Sequence, residues 1–449
     1  MEAAGLSRLC AKVLSARGVE DIQALHGLFG GRDELFDPFL LQDMQKAVDR
    51  ISLAVESGET VVVYGDYDCD GVTSTALLYS YLEAVGANVL YYIPDREVEG
   101  YGLNIEAIDF LSSVRGADLI ITVDNGITAI DEIEHANRLG IDVVVTDHHR
   151  PREVLPNAAA VVDPHRADCP SPFKGLAGVG VAFKLICALE GDDGSELIEH
   201  YGDLVALGTI GDVMELTHDN RTFVRHGLDL IAESVRPGVA ALIEAAGLSG
   251  RALTATNVAF GLVPRINAAG RMGDVYDALE LLLTDDEAVA AGKAEILCGY
   301  NNERKETESR ILAEIAGRIA ADPRLVQERA IVIDGAGWHH GVVGIICSRL
   351  VEKYGKPAFL ISTDETEGRS SGRSIDGVSV IEAVSACGDL LTRYGGHAQA
   401  AGFTVPLENL AAFRERFLGW FREHYLVMPY YRLGADCLVE PEELSVPQV

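Results

Sequence analysis

Short apolar runs alternate with longer amphipathic segments from residue 61 onward, and this alternation predicts the fold of the first half of the chain. Apolar runs with the length of buried strands occur at 61–64, 88–93, 119–123 and 142–146. Segments with helical spacing separate them, near 72–85, 104–114 and 128–139. A further short strand ends at Asp163. Strands that alternate with helices of roughly 10–15 residues predict an α/β fold with a parallel, doubly wound sheet and right-handed crossovers.

The remainder is predicted to be mostly helical and then α/β again. Predicted helices lie at 178–190, at 201–212 and at 286–322, the last being one long helix, or two, crossing between domains. A second α/β pattern follows, with a strand at 330–334, a helix near 342–354 and a strand at 358–362. An Asp-Pro-Arg sequence ends the long helix, so a domain boundary is placed near residue 325.

Composition limits the class of protein. The chain has 449 residues, 48% hydrophobic and 24% charged, which predicts a globular protein of two or three domains. We find no apolar run that could span a bilayer and no secretory signal. The eight cysteines form no Cys-x-x-Cys pair. These features predict no membrane association and a reducing, cytoplasmic location.

The formal net charge of −32 argues against a protein that grips nucleic acid through a broad basic face. A local arginine patch is compatible with this charge, and bound divalent cations would offset part of it. Arginines outnumber lysines, which favours bidentate phosphate recognition. Otherwise the acidic surface is interpreted as a feature of solubility or of a salty cytoplasm.

Acidic and imidazole side chains follow three of the predicted strands. They are Asp66, Asp68, Asp70, Asp124, Asp147, His148 and His149, and Asp212 ends the predicted helix at 201–212. Ligands bind beyond the carboxyl ends of the strands in open α/β sheets. The groups are therefore expected to converge on one crevice and to form a divalent-metal site that supports hydrolysis.

Several of these groups also have a structural interpretation. One aspartate of the 65–71 loop could cap the following helix, although three carboxylates this close repel one another unless cations lie among them. Asp124 begins an Asp-Asn-Gly sequence that could be a simple turn. Asp212 could be an ordinary helix-terminal aspartate. Of the adjacent histidines, one would ligate metal and the other could meet a phosphate oxygen, with Asp147 fixing a tautomer.

The number of ligands favours two ions. Four or five aspartates with one or two histidines exceed what a single zinc ion takes. Oxygen ligands with imidazole favour Mn²⁺ or Mg²⁺, two of which can activate a water against a phosphodiester.

The motifs together resemble a known family. Asp-Tyr-Asp-Cys-Asp-Gly-Val, Val-Asp-Asn-Gly-Ile, Thr-Asp-His-His and Gly-Thr-Ile-Gly-Asp-Val resemble the motifs of the DHH phosphoesterase superfamily, most closely the RecJ family. Further similar sequences occur at 100–104, 161–165, 264–273, 371–374 and 395–402. The resemblance runs from about residue 8 to about residue 425.

This resemblance implies a 5′-to-3′ exonuclease on single-stranded DNA, acting in DNA repair and recombination with two Mn²⁺ or Mg²⁺ ions. It assigns metal binding to Asp68, Asp70, Asp124, His148 and Asp212, with Asp124 bridging and Asp66 a further contributor. It places His149 by the scissile phosphate. It assigns substrate binding to Arg265, Arg271, Ser371, Gly372, Arg373, Gly395, Gly396 and His397, in a cleft between domains. Other repair or replication proteins are further candidate partners; the oligomeric state stays open.

The resemblance also implies a domain order. A helical region at 1–48 precedes a DHH catalytic domain at 49–215, a helical extension and linker at 216–325 and a smaller α/β DHH-associated domain at 326–425. The tail at 426–449 resembles the start of an oligonucleotide-binding barrel, with a first strand within 431–444. Since such a barrel usually follows, we expect a truncated chain or a short form.

Two alternatives remain. An oligoribonucleotide or cyclic-dinucleotide phosphodiesterase of the same superfamily typically opens with His-x-x-x-Asp, whereas Tyr64 stands four residues before Asp68. A non-catalytic replication scaffold is expected to lack motif aspartates, and all are present.

Overall fold

A five-stranded parallel sheet organises the first half of the computed structural model, which describes residues 6–22, 25, 35–96, 98–430 and 432–444. Its strands are β1 (Thr60–Tyr64), β2 (Asn88–Tyr92), β3 (Leu119–Val123), β4 (Asp142–Thr146) and β5 (Ala160–Val162). The strand order is β2-β1-β3-β4-β5, and all neighbours are parallel. This order confirms the predicted doubly wound sheet.

Both faces of this sheet are covered, which explains the unbroken apolar runs. Val61 and Val63 pack into one apolar core, whereas Val62 and Tyr64 pack into another on the opposite face. Helix α1 (Arg8–Ala16) comes first in the chain. The helices within Arg32–Glu303 include α2 (Met44–Ser57), α3 (Cys69–Ala84), α4 (Ile105–Phe110), α5 (Ile130–Arg138), α6 (Gly178–Glu190), α7 (Leu197–Gly211), α8 (His218–Glu233), α9 (Pro237–Ala245), α10 (Val263–Met272) and α11 (Val275–Leu283).

Helix boundaries differ from the prediction by three residues or more in three places. Helix α3 begins three residues early, α4 gives way to a π-helical turn at Leu111–Arg115, and α7 begins four residues early. Within the predicted helical region at 1–48, residues 1–5, 23–24 and 26–34 lie outside the described residues. The long linker is a single helix, α12 (Glu287–Ala321).

A second, mixed sheet forms in the later part of the chain. Its strands are β6 (Ile331–Ala336), β7 (Ala358–Thr363), β8 (Glu367–Arg373), β9 (Arg393–Gly396) and β10 (Ala400–Pro406), in the order β6-β7-β8-β10-β9. Only β6 and β7 pair in parallel. Helices α13 (His340–Tyr354), α14 (Val380–Ser385) and α15 (Leu410–His424) accompany it. Its core is aromatic and contains Phe359, Phe403, Phe413, Phe417 and Phe421.

The contacts divide the chain into two compact units. One is Arg32–Glu303, which holds the parallel sheet, and the other combines Met1–Gly31 with Arg304–Val449. The strand expected within 431–444 is not formed by the described residues 432–444, whose regular structure is a 3₁₀ turn at Pro441–Glu443. Among the described residues, no helix combines the length and apolarity needed to cross a membrane.

Candidate metal centre

The loop between β1 and α3 carries the first three aspartates, and each has a different partner. Asp68 is the N-cap of α3, because its side chain accepts hydrogen bonds from the backbone N–H groups of Asp70 (2.9 Å) and Gly71 (3.1 Å). The cap interpretation is therefore confirmed for one aspartate of the loop. It does not account for Asp66 or Asp70, which are both buried.

Asp70 is held by the start of helix α6. Its two carboxylate oxygens accept from the backbone N–H of Gly178 (2.6 Å) and of Val179 (2.9 Å). Burial, followed by the negative charges of Asp212 and Asp68, raises the pKa of Asp70 well above its ordinary value. The helix N-terminus favours the ionised form of Asp70, whereas the like charges of Asp212 and Asp68 disfavour it.

Asp124 follows β3 in a left-handed backbone conformation, with φ of 62°. A Cβ atom on Gly178 would lie 2.6 Å from the Cβ of Asp124, so only glycine fits at the start of α6. The Tyr101 hydroxyl donates to the backbone carbonyl of Asp124 at 3.1 Å. Burial and the charges of Asp70 and Asp68 raise the pKa of Asp124 well above its ordinary value.

Asp147 orients the two histidines that follow it. One of its oxygens accepts from the backbone N–H of His148 (2.7 Å) and His149 (3.1 Å) and lies 2.8 Å from Nδ1 of His149; the other accepts from Ile127 N–H at 2.9 Å. Because Nδ1 of His149 is engaged, its Nε2 is the nitrogen left for a substrate.

The two imidazoles have opposite pKa shifts. Burial disfavours the charged form of His149, but the hydrogen bond and charge of Asp147 outweigh it and raise the pKa to about 9. Burial and the positive charge of His149 lower the pKa of His148 to about 4. A neutral His148 is suited to ligate a metal, and a cationic His149 is suited to meet an anion.

The predicted ligands converge on one place. Nε2 of His148 lies 3.0 Å from Asp124 Oδ1, 3.7 Å from Asp212 Oδ2 and 3.8 Å from Asp70 Oδ2. Three groups have ligand atoms within 4.8 Å of one another: Asp66, Asp68 and Asp124; Asp70, His148 and Asp212; and Asp124, His148 and His149. Burial and the charge of Asp68 raise the pKa of Asp212 to about 6.

Three buried ligand atoms in the described part of the chain make no hydrogen bond. They are Asp66 Oδ1, Asp124 Oδ1 and His148 Nε2. Buried polar atoms are almost always paired, and buried carboxylates strongly favour a cation. Oxygen donors with one neutral imidazole fit Mn²⁺ or Mg²⁺. Asp124 belongs to the group with Asp66 and Asp68 and lies 3.0 Å from His148 of the group with Asp70 and Asp212, which fits two ions.

Helix α10 supports this loop, which the sequence did not indicate. Asn267, within the segment 264–273, accepts the backbone N–H of Cys69 through its Oδ1 at 2.8 Å. A Cβ on Gly270 would lie 2.5 Å from the carbonyl oxygen of Tyr67. The two contacts fix the start of α3, and the spacing of Asn267 and Gly270 along one helical face is the signal that could have revealed them.

The arginines predicted to bind substrate differ in their surroundings. Arg265 donates to the carbonyl of Gly261 and to Sγ of Cys298, and neither partner is a predicted metal ligand. The charge of Arg271 acts on Tyr67, within the aspartate loop. Arg96, which sequence reasoning missed, lies 5.0 Å over the Tyr67 ring. Arg96 follows β2, just as the aspartate loop follows the neighbouring strand β1. Its position after a predicted strand is the sequence signal that could have identified it.

The remaining predicted substrate residues belong to the second sheet. Ser371, Gly372 and Arg373 end β8, and Arg373 donates to Ser371 Oγ (3.3 Å) and to the Gly372 carbonyl (2.9 Å). Gly395 and Gly396 end β9, next to His397. The three residues at the end of β8 thus lie together, as do the three at the end of β9. That either group binds substrate stays a prediction.

Comparison with known proteins gives consistent matches. Residues 60–209 match the family model described as the DHH family, N-terminal domain, and residues 326–423 match the DHHA1 domain. The single-stranded-DNA-specific exonuclease RecJ of Bacillus subtilis is 39% identical over 414 residues, which cover 92% of this chain and 52% of the relative. RecJ of Escherichia coli is 38% identical over 438 residues, covering 92% of this chain and 74% of the relative.

Solved structures agree with these matches. A crystal structure of exonuclease RecJ bound to manganese has a TM-score of 0.74 and 37% identity, covering 85% of this chain and 94% of that one. RecJ of Thermus thermophilus in complex with Mn²⁺ has a TM-score of 0.81 and 34% identity, covering 96% of this chain and 60% of that one. This chain thus spans about half of the B. subtilis relative and about three quarters of the E. coli relative.

Proposed function

This chain belongs to the RecJ family of single-stranded-DNA-specific exonucleases, and from this premise we propose that it is a metal-dependent phosphodiesterase that removes nucleotides from the 5′ end of single-stranded DNA. One observation carries the proposal. Asp124 Oδ1 and His148 Nε2 are buried 3.0 Å apart, and neither makes a hydrogen bond. Their arrangement fits a shared cation better than a direct contact.

Asp66, Asp68, Asp70, Asp124, His148 and Asp212 would hold two Mn²⁺ or Mg²⁺ ions, with Asp124 shared between them. The ions, when bound, supply a nucleophilic water at neutral pH and neutralise charge on the phosphate. The protein keeps its ligands in place beforehand. Gly178 and Val179 fix Asp70, and the left-handed backbone fixes Asp124.

His149 would act on the phosphate itself. Its Nδ1 is occupied by Asp147, and the raised pKa keeps the ring cationic at neutral pH. A proton held on Nε2 can be donated as a hydrogen bond to a non-bridging oxygen, where negative charge increases in the transition state. Asp147 is thus a positioning residue for this contact.

The DNA strand would be gripped locally. Arg96 lies over the Tyr67 ring in the aspartate loop, and the charge of Arg271 acts on the same residue, so we propose that both guanidinium groups meet phosphates there. We also propose that Ser371, Gly372, Arg373, Gly395, Gly396 and His397 bind the strand, and that Arg265 acts through packing. Arg373→Ala should then weaken DNA binding more than turnover at saturating substrate. Finer parts of the proposal are the 5′-to-3′ polarity, a role in DNA repair and recombination and a cytoplasmic location.

Degradation of a 5′-phosphorylated, 3′-labelled single-stranded DNA with Mn²⁺ tests the proposal, with wild type compared with Asp124→Ala. We expect products that shorten stepwise from the 5′ end, absent in the variant, because the shared ligand is lost. Cleavage of dinucleotides or cyclic dinucleotides with intact long DNA would support the other phosphodiesterase interpretation. Bound metal without cleavage of any of these substrates would support the scaffold interpretation.

A further inference from the structure

Val213 directly follows the metal-site residue Asp212 and has a strained backbone. Helix α7 ends with Val213 N–H donating to the Ile210 carbonyl (3.2 Å) and Met214 N–H donating to the Thr209 carbonyl (3.3 Å). This pair of bonds puts Val213 in the left-handed conformation, with φ of 57°. Glycine usually occupies that position, because a Cβ atom there crowds the following carbonyl.

Packing of the Val213 side chain does not offset this backbone strain. Val213 is 87% exposed, so its methyl groups add little to the stability of the folded chain. Four other described non-glycine residues have positive φ, namely Asp43, Asp124, His218 and Ser234. Aspartate tolerates this conformation, and the ring of His218 packs against Phe173 at 5.2 Å. Val213 is the β-branched member, for which positive φ is a genuine outlier.

We propose that Val213 is a substrate contact, packing its methyl groups against the sugar and base of the nucleotide whose phosphate lies at the metal centre. This inference rests on the proposed function. Consecutive Cα atoms are about 3.8 Å apart, so a phosphate near Asp212 places its own nucleoside within reach of Val213. A β-branched side chain has few rotamers, so the surface that it offers is already ordered before the strand binds.

The contact explains why an apolar residue stands where glycine would be less strained. The centre around Asp212 is rich in carboxylates and suits the phosphate, whereas a sugar or a base is better met by an apolar surface. A valine at its edge supplies one. Strained residues of this kind concentrate at ligand sites, where the strain fixes the position of a side chain.

Three variants separate the side chain from the backbone. Val213→Ala removes two methyl groups and keeps a Cβ, so the strain remains. Val213→Gly removes the side chain and the strain together. Ser234→Gly is the matched control, because Ser234 ends helix α8 in the same left-handed conformation. Both glycine variants should raise the thermal midpoint by about 1–3 °C, and Val213→Ala should not.

Steady-state cleavage of a 5′-phosphorylated single-stranded oligonucleotide with Mn²⁺ is the decisive measurement. We expect Val213→Ala and Val213→Gly to raise KM about threefold to tenfold, with kcat within about twofold of wild type. Mn²⁺ affinity, measured by titration without DNA, should be unchanged in Val213→Ala. Ser234→Gly should match wild type in every kinetic constant.

Each other outcome has one meaning. A wild-type KM in Val213→Ala overturns the inference while leaving the proposed function in place. A loss of Mn²⁺ affinity in Val213→Ala that accounts for its kinetic defect also overturns it, because Val213 would then only position Asp212. A wild-type chain that binds Mn²⁺ but leaves the oligonucleotide intact overturns the proposed function, and this inference with it.

Discussion

Asp124 is held in a conformation and an environment that its carboxylate would not favour without a cation. Its backbone is left-handed, its side chain is buried and its nearest charged neighbours include Asp70 and Asp68. Each of these features costs free energy in the metal-free chain. The cost is consistent with a site selected for binding an ion rather than for stability.

Asp124→Asn should therefore separate stability from activity. Asparagine accepts the left-handed backbone, but it removes the charge that burial disfavours. We expect a higher thermal midpoint without metal, a smaller Mn²⁺-induced increase and hydrolysis reduced by about a hundredfold or more. Calorimetry with and without Mn²⁺, together with nuclease assays, measures all three quantities.

The control for this prediction is Asp131→Asn, a change of equal size on the exposed first turn of α5. It should leave Mn²⁺ binding and hydrolysis unchanged. Wild-type turnover in Asp124→Asn would exclude Asp124 as a shared ligand.

At the scale of elements, the start of helix α6 holds two ligands at once. The backbone N–H of Gly178 binds Asp70 at 2.6 Å, and its missing side chain leaves room for Asp124. The carboxyl ends of β1 and β3 are thereby tied to a helix that follows β5. One residue of α6 thus sets the distance between two carboxylates.

Gly178→Ala is expected to disrupt both carboxylates. The added Cβ would lie 2.6–2.9 Å from atoms of Asp124, so the helix or the loop must move, at a cost of about 1–3 kcal/mol. We expect lower stability and a loss of Mn²⁺ affinity, measured by urea unfolding and by metal titration. Both effects should appear together, because one displacement causes them.

Gly292→Ala provides the matched control. A Cβ on Gly292, within helix α12, would meet no atom within 4 Å, and the residue is exposed. This substitution should stabilise the chain by about 0.5–1 kcal/mol and leave Mn²⁺ affinity unchanged. Equal behaviour of the two glycine variants would remove Gly178 from the metal centre.

The elements also show which parts of the fold were predictable. The parallel strands were found from sequence because both of their faces are buried and their apolar runs are unbroken. Strand β8 was not, because Glu-Gly-Arg-Ser-Ser-Gly-Arg has little strand preference and forms through pairing with β7 and β10. Gly372 leaves space for the Phe359 ring there, which is a tertiary contact.

The candidate site was predictable to the same extent. The sequence identified Asp66, Asp124 and His148, because these metal-ligand side chains follow predicted strands closely. They could not identify Asn267 or Gly178, whose roles depend on contacts with residues 198 and 54 positions away, respectively Cys69 and Asp124. Local patterns carry no information on such long-range packing.

At the scale of the whole molecule, the net charge means that the proposed binding of DNA must rely on local contacts. Two divalent cations would supply four positive charges against a formal net charge of −32. Most of the formal negative charge therefore remains when the centre is loaded, and the net charge supplies no long-range attraction to a polyanion. Binding must depend on close arginine–phosphate contacts, such as those proposed for Arg271 and Arg96, and on the metal centre itself.

The carboxylates of the centre also make the stability of the metal-free chain depend on pH. The pKa values of Asp66, Asp70 and Asp124 are raised well above the ordinary value, and that of His149 is raised to about 9. A group with a raised pKa contributes stability that is present below its unfolded pKa and is lost as pH rises through its folded pKa. The lowered pKa of His148, about 4, acts in the opposite direction, but only between its unfolded value of 6.5 and that folded value.

Between pH 6.5 and about 9, the metal-free chain should therefore become less stable as pH rises. Mg²⁺ binds deprotonated carboxylates, and the pKa values of Asp66, Asp70 and Asp124 are raised, so its stabilising effect should grow as pH rises. Urea unfolding of the full chain with Mg²⁺ or with a chelator, at both ends of this pH range, measures the two trends.

Because all the proposed ligands lie in the unit Arg32–Glu303, hydrogen exchange should show the Mg²⁺-induced protection there, around α3 and α6. In Asp124→Asn the growth of the Mg²⁺ effect with pH should be smaller. An Mg²⁺ effect that is constant with pH would mean that the carboxylates are already ionised without metal, and that burial does not hold their protons.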